Sequence, residues 1–181
     1  MRMMRRIFRA LPGFRKNEKG TVTVEFVLVF PVFWMLFVSV FESGLMMTKL
    51  MMLERGLDMT VRAIRLAPQN ANITHDAVKA MICANAAIID NCENVLQVEL
   101  TPVSSTTWAM PSRAVDCVDR DSEVAPVVAF NAGMQNSVMY IRACVVVDPM
   151  FPNAGLGLIL AKDDSGGVRL VVNSAFANEP I

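Results

Sequence analysis

The stretch KGTVTVEFVLVFPVF, residues 19–33, opens a long apolar run that contains one acidic residue, Glu25. No charged residue lies between Phe26 and Phe41, and Glu25 is the only charge in the 21 residues from Thr21 to Phe41. A helix needs about 20 residues to cross the hydrocarbon core of a bilayer. The sequence therefore predicts a transmembrane helix, with its spanning part at about residues 24–41.

Charge is unevenly divided along the chain, although its formal net charge is zero. Residues 1–20 carry seven basic and one acidic side chain, whereas residues 42–67, after the apolar run, carry four basic and three acidic. Because basic residues concentrate on the cytoplasmic side of membrane proteins, we expect a cytoplasmic N-terminus and an exported body. A cleaved secretory signal peptide is the alternative, but the run ends in VSVFESG, which has no pair of small residues at the −3 and −1 spacing that such cleavage requires.

The helical pattern continues beyond the apolar run as far as Pro68. Apolar residues recur at steps of three and four positions: Leu45, Met46, Met47, Leu50, Met51, Leu53, Leu57, Val61 and Ile64. One helix from Thr21 to about Leu66 would be ~69 Å long, so its second half must lie outside the bilayer and pack on other elements. The methionines have the spacing of a packing stripe, which we prefer to a copper site.

Residues 68–181 predict a small domain that contains a helix and an antiparallel sheet, so the fold class is α+β. The helix is predicted at residues 74–89, with Thr74 as its cap. Alternating or β-branched segments predict strands at residues 95–101, 137–147 and 167–176. Residues 102–136 are rich in proline, serine and aspartate and predict mostly loop.

Four cysteines, Cys83, Cys92, Cys117 and Cys144, all follow the membrane segment. An even number on the exported side indicates two disulfides. Sequence alone does not choose among the three pairings, of which we prefer Cys83–Cys92 with Cys117–Cys144. The cysteine spacing does not suit zinc, and there is one histidine in the chain.

Other kinds of site have little support in the sequence. His75 has no recognisable catalytic companion, and no phosphate-binding glycine loop is present, so we expect neither an enzyme nor a cofactor. The acidic cluster at residues 116–123 matches no calcium loop and predicts a solvated surface. The NIT triplet at Asn72 fits a glycosylation sequon that is common by chance. Basic residues concentrate only at the N-terminus, which disfavours nucleic-acid binding.

The opening stretch resembles the prepilin peptidase processing site of type IV pilins and pseudopilins. It has a basic leader, Gly20, four uncharged residues, Glu25, the aromatic Phe26 and an apolar helix. The resemblance implies cleavage between Gly20 and Thr21 on the cytoplasmic side. It also implies that Glu25 pairs with the new N-terminal amine of an adjacent subunit, while the apolar helices bundle into a fibre core.

The chain resembles the TadE/TadF-like minor pilins of the tight-adherence (Tad, or Flp) pilus, chiefly over its first 67 residues and its final dozen, and in the middle by length and pattern. The long helix ending in RAIRLAP, the disulfide-sized exported domain and the terminal FANEP carry this resemblance. Two features depart from the wider family. Phe26 stands where tight-adherence prepilins often have tyrosine, and major pilins of this system are much shorter than this chain. The second departure indicates a minor component.

The resulting hypothesis is a non-enzymatic minor pilin, anchored in the bacterial inner membrane with a periplasmic domain. It comprises a leader at residues 1–20, an assembly helix at 21–67 and a domain at 68–181. The implied partners are a prepilin peptidase, other pilin subunits, the inner-membrane assembly platform and the lipid bilayer. The alternative is a single-pass anchored periplasmic binding or scaffold protein that is never processed.

Overall fold

The computed structural model describes residues 20–68, 73–110, 117–121 and 128–179. Its elements in chain order are helix α1 (Thr21–Arg65), helix α2 (His75–Asn85), short helix α3 (Cys92–Val95), strands β1 (Leu96–Val103) and β2 (Val138–Val147), short helix α4 (Leu156–Ile159) and strand β3 (Val168–Ala177). The fold class is α+β, as predicted: one long apolar helix precedes a small domain with an antiparallel sheet. Residues 1–19 of the expected leader (residues 1–20) and the sequon at Asn72 lie outside the described residues.

Helix α1 is continuous for 45 residues, which corresponds to about 67 Å. Pro31 lies inside the helix without ending it, and the helix stops three residues before Pro68. The side chains from Val22 to Phe37 are exposed, whereas much of the second half is buried in the domain. The predicted division of this helix into a bare apolar half and a packed half is therefore present in the structure.

The sheet has three antiparallel strands in the order β1-β2-β3, so β2 is central. Val98 of β1 lies opposite Ala143 of β2, and Ala143 lies opposite Val172 of β3. Side chains of alternate residues share one face of a strand. This register therefore brings apolar side chains of all three strands together on one face.

The hydrophobic core lies between that face of the sheet, the second half of α1, and α2. Its residues on the two helices include Leu53, Leu57, Val61, Ile64, Val78 and Ile82. On the strands they include Val98, Leu100, Ile141, Val145, Val172 and Phe176. Burying a side chain of this size contributes about 1.5–3 kcal/mol, so this core holds the exported part of α1 firmly in the domain.

Helices α1 and α2 approach most closely at Gly56. A Cβ atom at this position would lie 2.7 Å from the backbone carbonyl oxygen of Ile82. Gly56 therefore permits the close contact between the two helices, and it is buried. Gly44, on the same helix, has open space around the equivalent position.

The strand predictions agree with the structure to within two residues at each end, whereas the helix prediction after α1 was too long. Thr74 caps α2 as expected, because its hydroxyl accepts a hydrogen bond from the N–H of Ala77. The helix ends at Asn85 rather than at residue 89, because Ala86 leaves the helical conformation at φ −110° and ψ 44°. The four-residue helices α3 and α4 had no counterpart in the predictions.

Candidate functional site

Gly20 lies immediately before the first residue of α1, where the expected processing site begins. Its backbone has φ −105°, which other residues also adopt, and a Cβ atom there would meet nothing within 4 Å. Neither the conformation nor the packing of the described chain therefore requires a glycine here. A requirement imposed by a partner that binds the extended backbone closely would explain it. Thr21 is the first residue of α1, so the expected cut falls at the helix start.

Glu25 and Phe26 lie on the exposed first half of α1. Glu25 forms no hydrogen bond or ion pair with the other described residues, and Phe26 is 61% exposed. Glu25 is one helical turn after Thr21, so both residues lie on the same side of the helix. The expected processing and assembly residues thus lie within seven consecutive residues at the start of one helix.

The exposed half of α1 carries a stripe of aromatic side chains along one side. Phe26 stacks on Phe30 with ring centroids 5.1 Å apart, Phe30 on Trp34 at 6.0 Å, and Trp34 on Phe37 at 5.8 Å. Spacings of three and four residues place these rings one above another. Within the described ranges, α1 is the one helix long and apolar enough to cross a membrane. This agrees with a single-pass membrane protein.

Glu42 is a buried acidic residue that the sequence reasoning counted only as a charge. Its side chain is 0% exposed, and its two carboxyl oxygens accept hydrogen bonds from the backbone N–H groups of Met150 and Phe151, at 3.1 and 2.9 Å. The bonded amides belong to the chain segment that leaves β2. Glu42 was detectable in the sequence as the first charged residue after the apolar run, but its partners lie far along the chain.

Two disulfides stabilise the domain: Cys83–Cys92 and Cys117–Cys144. These are the pairs preferred from the sequence. The first ties the end of α2 to α3, and the second ties residues 117–121 to the central strand β2. The expected disulfide-containing body is therefore present in the structure.

Arg120, three residues after Cys117, connects two loops. Its guanidinium lies 2.7 and 2.8 Å from the two carboxyl oxygens of Asp148, and its Nε donates to the hydroxyl of Ser165 at 2.9 Å. The hydrogen bond from Arg120 lowers the pKa of the Asp148 carboxyl, which burial opposes. The Cys117–Cys144 disulfide thus positions an arginine that fixes the start of the segment after β2.

The residues considered for other chemistry have structural contacts. His75 packs edge-on against Phe130, and its Nε2 lies 3.2 Å from the carbonyl oxygen of Val98. Asp116 and Glu123 of the acidic cluster lie outside the described residues, while Asp119 accepts a hydrogen bond from a neighbouring backbone N–H. Among the described side chains, no group of three or more metal-binding residues is placed to hold an ion.

The methionines on α1 only partly match the predicted packing stripe. Met46 is buried in the core, whereas Met47 and Met51 are 63% and 65% exposed. The helical period places Met46 on the same side as Leu53 and Leu57, while the two exposed methionines lie beside that stripe. The prediction was right for Met46 and wrong for Met47 and Met51.

A family model described as TadE-like protein matches residues 20–62 of the chain. No match was found among curated proteins or among solved structures. The matched residues begin at Gly20 and include the expected cleavage position, Glu25, the aromatic stripe and Glu42. The segment that carries the candidate site is therefore similar to that of TadE-like proteins.

Proposed function

We propose that this chain is a minor pilin, or pseudopilin, of a Tad (Flp) type IVb pilus or secretion system. A prepilin peptidase in the membrane cuts it between Gly20 and Thr21, and the mature chain contributes to pilus assembly, priming or the pilus tip. The observation that carries this proposal is the unexplained glycine at the start of α1. Since the described chain leaves open space at Gly20, the need for a bare backbone is best assigned to the peptidase.

Glu25 supports an assembly role on energetic grounds. A carboxylate costs about 2.5–3.5 kcal/mol at the centre of a bilayer on insertion scales. Glu25 lies near the start of the predicted span, where the cost is smaller, but a charge within the span is still stabilised by a partner. Glu25 has none among the described residues, and cleavage after Gly20 creates a free amine on Thr21. The amine of an adjacent subunit would neutralise Glu25 and set the position of neighbouring helices. Phe26, next to it, would extend the apolar contact between subunits.

The unequal burial of α1 supports the same role. Its first half is bare and apolar, whereas its second half is fixed in the domain by Leu53, Leu57 and neighbouring core residues. A helix built in this way can lie in the inner membrane before assembly and pack against other pilin helices afterwards. In this arrangement the small α+β domain is periplasmic and the leader is cytoplasmic, and the assembly platform extracts the mature subunit.

The role is structural rather than catalytic, because the TadE-like pilin family is a structural one. We assign no cofactor, metal or nucleic acid to the function. The chemistry that the proposal requires of this chain is limited to peptide cleavage by another protein and ion pairing between subunits.

Copurification with other pilin subunits tests the assembly role. Wild-type protein and the E25Q variant would be extracted in mild detergent from cells that express the complete pilus system. We expect E25Q to be cleaved normally but to retain much less pilin, because the amide cannot form the ion pair. E54Q, an exposed glutamate on the packed half of α1, is the control and should behave as wild type. Equal pilin recovery with E25Q would overturn the assigned pairing.

A further inference from the structure

The chain between β2 and β3 forms a loop, residues 148–162, that packs against the membrane part of α1. Gly155 provides the closest approach: a Cβ atom there would lie 2.6 Å from the hydroxyl oxygen of Ser39 and 3.3 Å from the carbonyl oxygen of Met35. Phe151 packs edge-on against Phe41, with ring centroids 6.4 Å apart. The loop therefore contacts α1 over the stretch from Met35 to Glu42.

These contacts lie at a depth that the bilayer should occupy. About 20 helical residues cross the hydrocarbon core, so a span that begins near Thr21 ends near Val40. Met35 lies roughly 10 Å below Glu42 along the axis, at 1.5 Å per residue. The α4 side of the loop thus reaches into the outer part of the predicted span at residues 24–41, rather than standing above it.

The outer surface of the loop exposes apolar side chains, as does the half of α1 that it contacts. Met150, Leu158 and Ile159 are 61%, 62% and 76% exposed. The contact between Phe41 and Phe151 joins the apolar surface of α1 to the loop. Charged residues stand at the two ends of the loop, Asp148 and Lys162, which are the positions closest to the domain.

Several polar groups of the loop backbone have hydrogen-bond partners within the protein. Irregular backbone is tolerated at membrane depth only where its polar groups find partners within the protein. Glu42 accepts two of the loop N–H groups, and Pro149 and Pro152 have no N–H to satisfy. The carbonyl oxygen of Pro152 accepts a hydrogen bond from the ammonium group of Lys162 at 2.6 Å.

Further backbone hydrogen bonds close the loop on itself. The N–H of Ala154 donates to the carbonyl oxygen of Phe151 at 3.2 Å, and the N–H of Leu160 donates to that of Leu156 at 3.1 Å. Together with the Glu42 contacts, these bonds satisfy part of the loop backbone. Between residues 149 and 160 the exposed residues besides the three apolar ones are Pro152 and Asn153, so the exposed side chains there are mainly apolar. A buried polar group without a partner costs about 1–3 kcal/mol, so this pattern favours insertion.

We propose that the 148–162 loop is a second membrane contact, whose residues Met150, Leu158 and Ile159 insert into the outer-leaflet surface of the lipid bilayer beside α1. Glu42 fixes the loop at this depth by binding its backbone. The domain is then held against the membrane at a defined height and rotation about α1. This inference rests on the membrane-resident precursor of the proposed function, but it does not depend on cleavage or on Glu25.

Fluorescence quenching by brominated lipid tests this contact in the full-length chain. The chain has two tryptophans, Trp34 and Trp108, which a W34F/W108F background removes. L158W and I159W, each made in that background, place a single tryptophan on the loop at an exposed position. Each protein would be reconstituted into phosphatidylcholine vesicles with bromines near the headgroup end of the acyl chains. We expect the brominated lipid to reduce the tryptophan fluorescence of both variants relative to unbrominated vesicles. We also expect the emission maximum of each variant in vesicles to lie at shorter wavelength than that of the same protein unfolded in denaturant.

Two control proteins separate insertion of the loop from insertion of the helix. M134W in the same background replaces another exposed apolar residue, 81% exposed, at the opposite end of β2, and should not be quenched. W108F alone keeps Trp34 on the bare half of α1, near the centre of the predicted span, and its quenching by lipid brominated toward the ends of the acyl chains reports insertion of the helix itself. Quenching of Trp34 without quenching of L158W and I159W would overturn the loop contact while leaving the anchor intact.

Crosslinking of the unquenched loop to a second subunit would assign the surface to a protein partner instead. Absence of Trp34 quenching would contradict the membrane anchor, and with it both proposals.

Discussion

The carboxyl group of Glu42 and the backbone amide of Phe151 lie 2.9 Å apart, although 109 positions separate them in the chain. A second oxygen of the same carboxyl group accepts from the adjacent amide of Met150 at 3.1 Å. The pair joins the end of the apolar half of α1 to the segment that leaves the central strand. Glu42 therefore fixes the apolar half of α1 relative to the folded domain.

Removal of the Glu42 carboxyl group should loosen this connection. E42A leaves two partly buried N–H groups without their acceptor, which we expect to lower the free energy of unfolding by about 1–3 kcal/mol. E42Q retains one acceptor oxygen and should lose less. Chemical unfolding in detergent micelles, followed by circular dichroism, measures the difference.

The control for this prediction is E54A, which removes an exposed carboxyl group from the same helix. It should change stability by no more than about 0.5 kcal/mol, as surface substitutions usually do. If E42A and E54A were equally stable, the hydrogen bonds from Glu42 would not contribute to holding the loop.

The two glycines of α1 should respond to alanine in opposite directions. G56A places a methyl group 2.7 Å from the carbonyl oxygen of Ile82, which forces α1 and α2 apart and should destabilise the domain by about 1–3 kcal/mol. G44A meets nothing within 4 Å and removes a flexible residue from a helix, so it should stabilise by about 0.5–1 kcal/mol. Thermal unfolding of the two variants side by side measures both effects, and a stable G56A protein would contradict the observed helix contact.

The ion pair between Arg120 and Asp148 should give the stability a defined dependence on pH. Its hydrogen bond lowers the pKa of Asp148 in the folded protein, so the stabilising contribution is complete above the unfolded carboxyl pKa of about 3.9 and is lost as the pH falls further. We expect the stability difference between wild type and D148N to be constant at neutral pH and to shrink below about pH 4. Unfolding curves over this range measure it.

D164N is the matched control, because Asp164 is exposed and forms no hydrogen bond or ion pair with the other described residues. Its substitution should have little effect at either end of the range. A difference for D148N that grew toward low pH would have the opposite sign from the one expected for an acid stabilised in its charged form.

The disulfide pairing can be measured directly by peptide mapping without reduction. Trypsin would release Cys83 and Cys92 together in residues 80–113, Cys117 in residues 114–120 and Cys144 in residues 143–162. We expect the first peptide to contain an internal disulfide and the other two to be linked to each other. Any link from residues 80–113 to either of the other peptides would contradict the pairing in the structure.

Periodicity predicted the long helix and the three strands because each is set by local spacing of apolar residues. The burial of Leu53 and Leu57 on α1 and of Leu96, Val98 and Leu100 on β1 is of this kind. The contact between Glu42 and Phe151 could not be predicted in this way, since it depends on how a distant loop folds back on α1. Local spacing also failed for Met47 and Met51, because apolar character alone does not tell which side of a helix the domain covers.

The features of the candidate site likewise fall into those that the sequence predicts and those that only the fold shows. The distance from Gly20 to Glu25 is a property of the sequence and was recognisable before the structure was known. The open space around Gly20 is a property of the fold. Because the fold does not require glycine there, we infer that a partner does. The 148–162 loop had no sequence signal beyond its prolines, because its relation to the membrane follows from where Gly155 meets α1.

The intact mass of the protein, measured after expression with the prepilin peptidase of its own pilus system, tests the central claim most directly. We predict that the mature protein lacks residues 1–20 and begins at Thr21, and that G20V retains the full leader because a branched side chain obstructs the peptidase. Wild-type protein that keeps residues 1–20, in cells where the same peptidase cuts the major pilin, would contradict the account and favour an unprocessed membrane-anchored protein.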